Sequence, residues 1–329
     1  MGLITVNAEL VNQATGTSED PILENFRDVF IGLGCLEGEY QLEVDPSVRP
    51  VKHTPRRVPV ALRDVVKKKI QEMENKGIIQ KVSQPSEWIS SMVVVKTPKK
   101  IRICLDPTDL NKALKRSHYL LPTIEEILPR LHKAKIFSIL DAKDGFLQIK
   151  MDSKSSDLTT FWTPWGRYKW LRMPFGISSA PEEYQRRLHE ILEGLAGVDV
   201  VADDIVVFGC GDTDEEARKD HDKNLISLLQ RARSRNLKLN KQKVQLRLME
   251  VPYIGHLLTS QGLKADPRKI EAVLKMPTPT SVIEAQRVLG FVNYLAKFLP
   301  RLSEICKPIN TRLNCCSKGE QTVVLGTHI

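Results

Sequence analysis

The sequence predicts an α+β fold in which an antiparallel sheet is covered by helices on one face and followed by a helical C-terminal unit. Three observations carry that prediction. Extended, β-branched runs come in adjacent pairs around polar breaks, at 89–105 and 198–208. Helices with capping signals separate the pairs, and beyond residue 266 only helical spacing remains.

Residues 1–48 show little hydrophobic period and carry Gly16, Pro21, Gly32, Gly34 and Gly38, which predicts a connecting leader with one short helix near 21–30. Over 59–76, Leu62, Val65, Val66, Ile70 and Met73 share a helical face, with Pro59 suited to the first turn and Gly77 to the end. The runs 89–96 and 101–105 flank Thr97-Pro98-Lys99-Lys100, the pattern of a hairpin with a basic tip. Thr123 and Glu126 form a capping box before a helix with Ile124, Ile127, Leu128 and Leu131 on one face. A strand over 136–140 ends on Asp141, and after Gly145 an alternating run, 146–151, reads as extended.

Ser179 and Glu182 form a second capping box, opening a helix to about 195 that Gly197 closes. The 198–208 segment is a hairpin by pattern, with Asp203 and Asp204 between its β runs. A long helix over 214–236 turns Leu225, Leu228, Leu229 and Ala232 inward, and 253–258 with Leu263 bracket a turn at Gly262. Two helices follow, one from Asp266 with Pro267 in its first turn, one from Ser281 with Glu284 completing a third capping box.

At 329 residues the chain is long enough for two or three compact units with real cores. Its 41% hydrophobic and 27% charged residues are ordinary globular values that exclude wholesale disorder and fibrous repeats. Lys and Arg outnumber Asp and Glu by 49 to 40, a formal charge of +9 with a pI near 9.2. That surplus suits a polyanionic partner and equally a well-solvated surface. No apolar run approaches the roughly 20 residues of a membrane helix, and no basic segment precedes an apolar core at the start, so neither a membrane span nor secretion is expected. Cys35, Cys104, Cys210, Cys306, Cys315 and Cys316 show no C-x-x-C and no His at zinc spacing, so free thiols in a reducing compartment, cytoplasm or nucleus, are expected.

The densest chemical signal is Asp203-Asp204. A tight turn between two β runs normally takes Asn-Gly or Asp-Gly; two adjacent carboxylates repel and give no easy positive φ, so a cation should offset them. Alone, the pair reads as a solvated polar turn. A third acid, Asp141, ends an apolar strand shortly before Gly145, where backbone or ligand can approach closely. If that strand pairs beside the 198–208 hairpin, three carboxylates meet at one sheet edge. Two Mg²⁺ ions need such a donor set to clamp the attacking and leaving oxygens of a phosphoryl displacement. His256 has no second His or Cys at ligand spacing and is not expected to bind metal.

Three stretches then fall in one order: Phe137-Ser138-Ile139-Leu140-Asp141-Ala142-Lys143-Asp144-Gly145-Phe146-Leu147-Gln148-Ile149, Met173-Pro174-Phe175-Gly176-Ile177-Ser178-Ser179-Ala180-Pro181, and Ala202-Asp203-Asp204. In order and spacing they resemble the palm motifs of reverse transcriptases, above all those of gypsy-type long-terminal-repeat retrotransposon pol polyproteins, and the resemblance runs from about 48 to 313. It implies a right-hand polymerase fold. A leader would occupy 1–45, fingers 46–116 and 149–179, an antiparallel palm sheet backed by helices 117–148 and 180–260, and a thumb 261–313. The tail, 314–329, is unlike the family. The resemblance also implies RNA- and DNA-directed DNA polymerase activity, acting on an RNA or DNA template with primer and on deoxynucleoside triphosphates, with two Mg²⁺ ions, or Mn²⁺, as cofactors.

Residue by residue, Asp141, Asp203 and Asp204 match the family's catalytic, metal-binding acids. Phe146 matches the aromatic gate that rejects a 2′-hydroxyl; alone, it reads equally as core. Arg102 matches the fingers arginine on the triphosphate, with one of Lys96, Lys99 and Lys100 assisting; alone, it reads as an edge-strand charge. Phe175 and Gly176 match the turn lining the nucleotide pocket. Ile254, Gly255 and His256, after Tyr253, match the primer grip, which holds the primer 3′ end. Where the family usually carries Tyr two residues before the acid pair, this chain has Val201. An inactive nucleic-acid-binding remnant therefore stays open as an alternative, and an interaction scaffold as a remoter one. With no Asp-[Ser/Thr]-Gly motif, no acid set after the thumb and no zinc cluster, a product truncated before the ribonuclease H domain is expected.

Overall fold

The computed structural model describes residues 20–97, 101–116, 118–120, 122–131, 133–201, 203–299 and 301–316. Two compact units emerge, Met1–Met249 and Glu250–Ile329.

The first unit opens with α1 (Pro21–Asn25), whose first amides are held by the Asp20 carboxylate, and β1 (Glu39–Tyr40). In α2 (Arg63–Asn75), Val66, Ile70 and Met73 form the buried stripe, while Val65, expected beside them, is exposed. Next come β2 (Ile79–Val82), β3 (Ser91–Lys96), β4 (Ile101–Asp106), α3 (Thr108–Ala113) and the single turn α4 (Ile124–Ile127). β5 (Ala134–Asp141) leads through a 3-10 turn, Gly145–Gln148, to β6 (Lys150–Met151), α5 (Ser153–Leu158), β7 (Phe161–Thr163) and β8 (Gly166–Trp170). α6 (Ala180–Leu192), β9 (Val198–Val201), β10 (Asp204–Cys210), α7 (Asp214–Ser234) and β11 (Gln245–Leu248) complete the unit.

The central sheet is antiparallel throughout, in the order β11-β5-β10-β9. Strand alternation sends Leu140, Val200, Ile205 and Val207 into one core with Leu188 of α6 and Leu225, Leu228, Leu229 and Ala232 of α7, so helices back one face as expected. Asp141 faces the other way from Leu140. The β10 backbone lies close on α7: a Cβ on Gly209 would stand 2.0 Å from the Ala217 carbonyl oxygen and 2.6 Å from the His221 nitrogen. The β3–β4 hairpin is paired from Ser91 with Asp106 to Lys96 with Ile101.

Several expectations need correction. The supposed leader, in its described part, is woven into the core through Leu23, Val29, Phe30, Leu36 and Leu42. The run 146–151 is extended only at β6, because Asp144 adopts a left-handed φ of 49° and reverses the chain into the 3-10 turn. Ser179 caps nothing: its backbone is already helical, so its hydroxyl cannot swing onto the first amides of α6. Thr123 makes no cap bond either. The full capping box stands at Thr213 and Glu216 instead. A three-stranded sheet, β2-β8-β7, holding the buried Phe161, Tyr168 and Trp170, was not foreseen.

The second unit is a meander, β12 (Glu250–Tyr253), β13 (His256–Thr259) and β14 (Gly262–Ala265), followed by α8 (Pro267–Leu274), α9 (Val282–Tyr294) and α10 (Leu302–Cys316). Asp266 and Ser281 cap α8 and α9 as expected. Leu289, Leu302 and Cys306 form its helical core. The β12–β13 hairpin groups with the C-terminal helices, and 314–316 continue α10. Among the described residues no helix is long and apolar enough to cross a membrane.

The tight seat of β10 on α7 makes a paired prediction. Gly209→Ala is expected to lower unfolding stability by about 1–3 kcal/mol. Gly290→Ala, where an added methyl in α9 meets nothing within 4 Å, should raise it by up to about 1 kcal/mol. Urea melts of both variants provide the check.

Candidate active site

The register of β5 and β10 sets Asp204 directly opposite Asp141, with Ile205 against Leu140 and Val206 against Ile139. Opposed residues in an antiparallel pair have Cα atoms roughly 4.5–5.5 Å apart. Asp203 occupies the connection from β9 to β10, so the three acids meet at one sheet edge, as the sequence led us to expect. Val201 is buried and pairs with Asp204.

Burial first, and then the neighbouring carboxylates, push the Asp203 and Asp204 carboxyls above the ordinary range; Lys243 pulls both back. Lys243 is the cation the acid pair requires. Asn240 donates its backbone N–H to the Asp141 carbonyl at 2.8 Å, the 3-10 turn Lys241–Lys243 follows, and the Lys243 ammonium pairs with the Asp141 carboxylate. Beneath them lies the fully buried Tyr184, whose phenol is held well above its usual pKa by burial and then by Asp203 and Asp141.

A cleft of about 490 Å³ opens over the acids, its wall including Arg102, Asp141, Lys143, Phe175, Asp203 and Lys243. Arg102 is exposed on β4 with its guanidinium 5.8 Å from the Phe175 ring centre. Gly176 makes the turn that presents Phe175. Its φ is +112°, and a Cβ there would stand 2.7 Å from the Leu105 carbonyl oxygen. Asn111 ties this turn down, donating to the Gly176 carbonyl at 2.9 Å and accepting from the Ser178 N–H at 3.0 Å. Phe146 is half-buried on the 3-10 turn, with ring centres 5.3 Å from Phe175 and 5.7 Å, edge-on, from Tyr184. Gly145 permits this arrangement, since a Cβ would stand 2.7 Å from the Tyr184 ring.

Lys96 is exposed at the end of β3; Lys99 and Lys100 lie outside the described residues. Ile254 and Gly255 form the β12–β13 turn of the second unit, both with left-handed φ, 45° and 76°. His256 is buried and stacks on Tyr294, ring centres 5.4 Å apart, while the Tyr294 hydroxyl donates to the Gly255 carbonyl at 2.8 Å. Lys243, Tyr184 and Asn111 were missed from sequence. Only the need for a counter-charge hinted at Lys243.

Among the described residues no three His, Cys, Asp or Glu side chains form a ready-made metal cage. The donor chemistry nevertheless fits a hard divalent cation: the edge offers three carboxylates, two of them with pKa values raised first by burial and then by neighbouring negative charge.

A model of the family described as reverse transcriptase (RNA-dependent DNA polymerase) matches residues 93–280. The chain is 31% identical over 307 residues to the retrovirus-related Pol polyprotein from transposon 297 of Drosophila melanogaster, covering 88% of this chain and 28% of that protein. To the polyprotein from transposon opus of the same species it is 36% identical over 261 residues, 76% of this chain and 25% of that one. The chain thus spans only about a quarter of these relatives' length. Among solved structures, a foamy viral protease-reverse transcriptase in complex with double-stranded DNA superposes with a TM-score of 0.80 at 21% identity, over 93% of this chain and 53% of that one. The same type of viral protein with an RNA/DNA hybrid gives 0.75 at 20% identity, over 93% and 41%. These superpositions match the right-hand polymerase fold.

The raised carboxyls make a linked prediction. A folded-state pKa above the unfolded value means the site stabilises most below the ordinary carboxylate range and loses that contribution as pH rises through the raised values. Asp204→Asn is therefore expected to raise the metal-free Tm at pH 7 and to flatten its decline above about pH 4. Lys243→Met should lower that Tm and move the Asp203 and Asp204 carboxyl titrations further up, read by NMR. Mg²⁺ should raise the Tm of the wild type more than that of Asp204→Asn.

Proposed function

The chain belongs to the reverse transcriptase (RNA-dependent DNA polymerase) family, and from that premise we propose that it adds deoxynucleotides to a primer 3′-hydroxyl on an RNA or DNA template. The observation that carries this reading is the pairing of Asp204 against Asp141, with Asp203 beside them, at the edge of a cleft that also holds Arg102 and Lys243.

Asp141 and Asp204 would hold two Mg²⁺ ions, or Mn²⁺, with Asp203 completing the site. Bound there, the ions would lower the pKa of the primer hydroxyl and neutralise charge on the phosphates. The primer hydroxyl would release its proton to solvent as its oxygen attacks the α-phosphate; a new P–O bond forms, and the bond to pyrophosphate, the leaving group, breaks. Arg102 would grip the triphosphate, with Lys96, Lys99 or Lys100 assisting from the β3–β4 hairpin, by offering preorganised positive charge. Phe146, braced by Phe175 and Tyr184, would lie under the sugar and exclude a 2′-hydroxyl. Phe175 and Gly176 would line the nucleotide pocket, and Ile254, Gly255 and His256 would act as primer grip. Fingers over 46–116 and 149–179, palm over 117–148 and 180–260 and thumb over 261–313 are the assignments that accompany this reading. The superposed viral proteins are in complex with double-stranded DNA and with an RNA/DNA hybrid, which supports primer–template as the partner.

Primer extension on RNA and DNA templates with Mg²⁺ tests the proposal. Wild type should extend both, Asp204→Asn should fall by about 10²–10³-fold or more, and Phe146→Val should gain ribonucleotide incorporation. Folded wild type that extends neither template would refute the activity.

A further inference from the structure

Gln148 closes the 3-10 turn that carries Phe146, and its side chain is fully buried. Its amide nitrogen donates to two carbonyls at 2.8 Å each, that of Lys143 ahead of the same turn and that of Lys238 on the segment leading to Lys243. Its amide oxygen accepts from the Lys238 N–H at 2.9 Å. These partners fix which way the amide points, because the carbonyls only accept and the N–H only donates.

Backbone bonds extend the junction. The Lys143 N–H donates to the Lys238 carbonyl at 2.9 Å, Ala142 pairs with Leu239, and the Asn240 N–H reaches the Asp141 carbonyl. One 3-10 turn later, Lys243 meets the Asp141 carboxylate. Gly34 packs against the same amide: a Cβ there would stand 2.0 Å from Gln148 Oε1. A buried amide is costly unless bonded, and this one meets its cost by joining the turn whose Phe146 packs on Phe175 of the cleft wall to the segment that brings Lys243 to the cleft.

We infer that Gln148 is a positioning residue that locks the Phe146 turn to the Lys243 segment, so that sugar discrimination and the placement of Lys243 are set together by a side chain outside the cleft wall. The inference rests on the polymerase reading of that cleft. A residue that only filled the core would, when replaced, reduce the fraction of active molecules and leave the properties of the remainder unchanged. A joint changes two properties at once.

Gln148→Glu keeps the length and the acceptor for the Lys238 N–H, gives up both donations and sets a carboxylate against two carbonyls. In single-nucleotide primer extension, normalised to active sites by burst amplitude, it should lower the preference for deoxynucleotides over ribonucleotides about tenfold. It should also speed amide hydrogen exchange over 238–243, read by mass spectrometry, without speeding it across the rest of the unit. Gly34→Ala presses on the same amide from outside the cleft and should move both readouts alike, so the test survives if the Glu variant does not fold. A folded variant with both readouts unchanged, or only one moved, overturns the inference. Wild type that fails to extend in the same assay overturns the polymerase reading and this inference with it.

Discussion

Two carboxylates placed opposite each other across a strand pair repel, and at the edge of a packed sheet little water screens them. That is the situation of Asp141 and Asp204, and much of the first unit serves to impose it. β10 is held between β5 and β9, its backbone is pressed onto α7 at Gly209, and the helical core fixes Leu140, Ile205 and Val207 behind the acids. A register slip of one residue would relieve the repulsion but turn every buried side chain of β10 to the wrong face. The core thus holds the acids together, and burial first, with the neighbouring carboxylates adding to it, raises the carboxyl pKa values of Asp203 and Asp204.

The remaining parts of the cleft respond to that charge. Lys243 supplies a single positive charge that divalent cations could supplement, on a segment hung from the Asp141 backbone. Arg102 brings a second cation from β4. On the apolar side, Gly145 and Gly176 let Tyr184 and the Leu105 carbonyl approach closer than any Cβ would permit, and this compactness seats Phe146 against Phe175. Electrostatics and steric fit converge on a cleft of the size of one small charged substrate.

What could be read from the sequence follows from how local the signal is. The 198–208 hairpin and the strand ending at Asp141 are long β-branched runs bounded by acids and glycines, so their existence and shared edge were legible. The 146–151 run was misread because Phe146, Gln148 and Lys150 alternate like a strand, whereas the left-handed Asp144 and the backward reach of Gln148 depend on partners ninety residues away at Lys238. Lys243 has no periodic context at all; it reaches Asp141 through bonds between distant segments. Residues 20–45 looked like a leader because isolated apolar side chains such as Leu23, Val29 and Leu36 carry no period, yet each fills a pocket in the core. Short strands β2, β7 and β8 fell below the length at which alternation is distinctive.

The central claim is that an enforced carboxylate cluster is a site for divalent cations engaged in phosphoryl transfer. Its most direct test counts the ions: electron paramagnetic resonance titration of Mn²⁺ into the protein with primer–template and a non-hydrolysable deoxynucleotide. The account predicts about two tightly bound Mn²⁺ in the wild type and clear loss in Asp141→Asn. Wild type that binds no more Mn²⁺ than Asp141→Asn under the same conditions would contradict it.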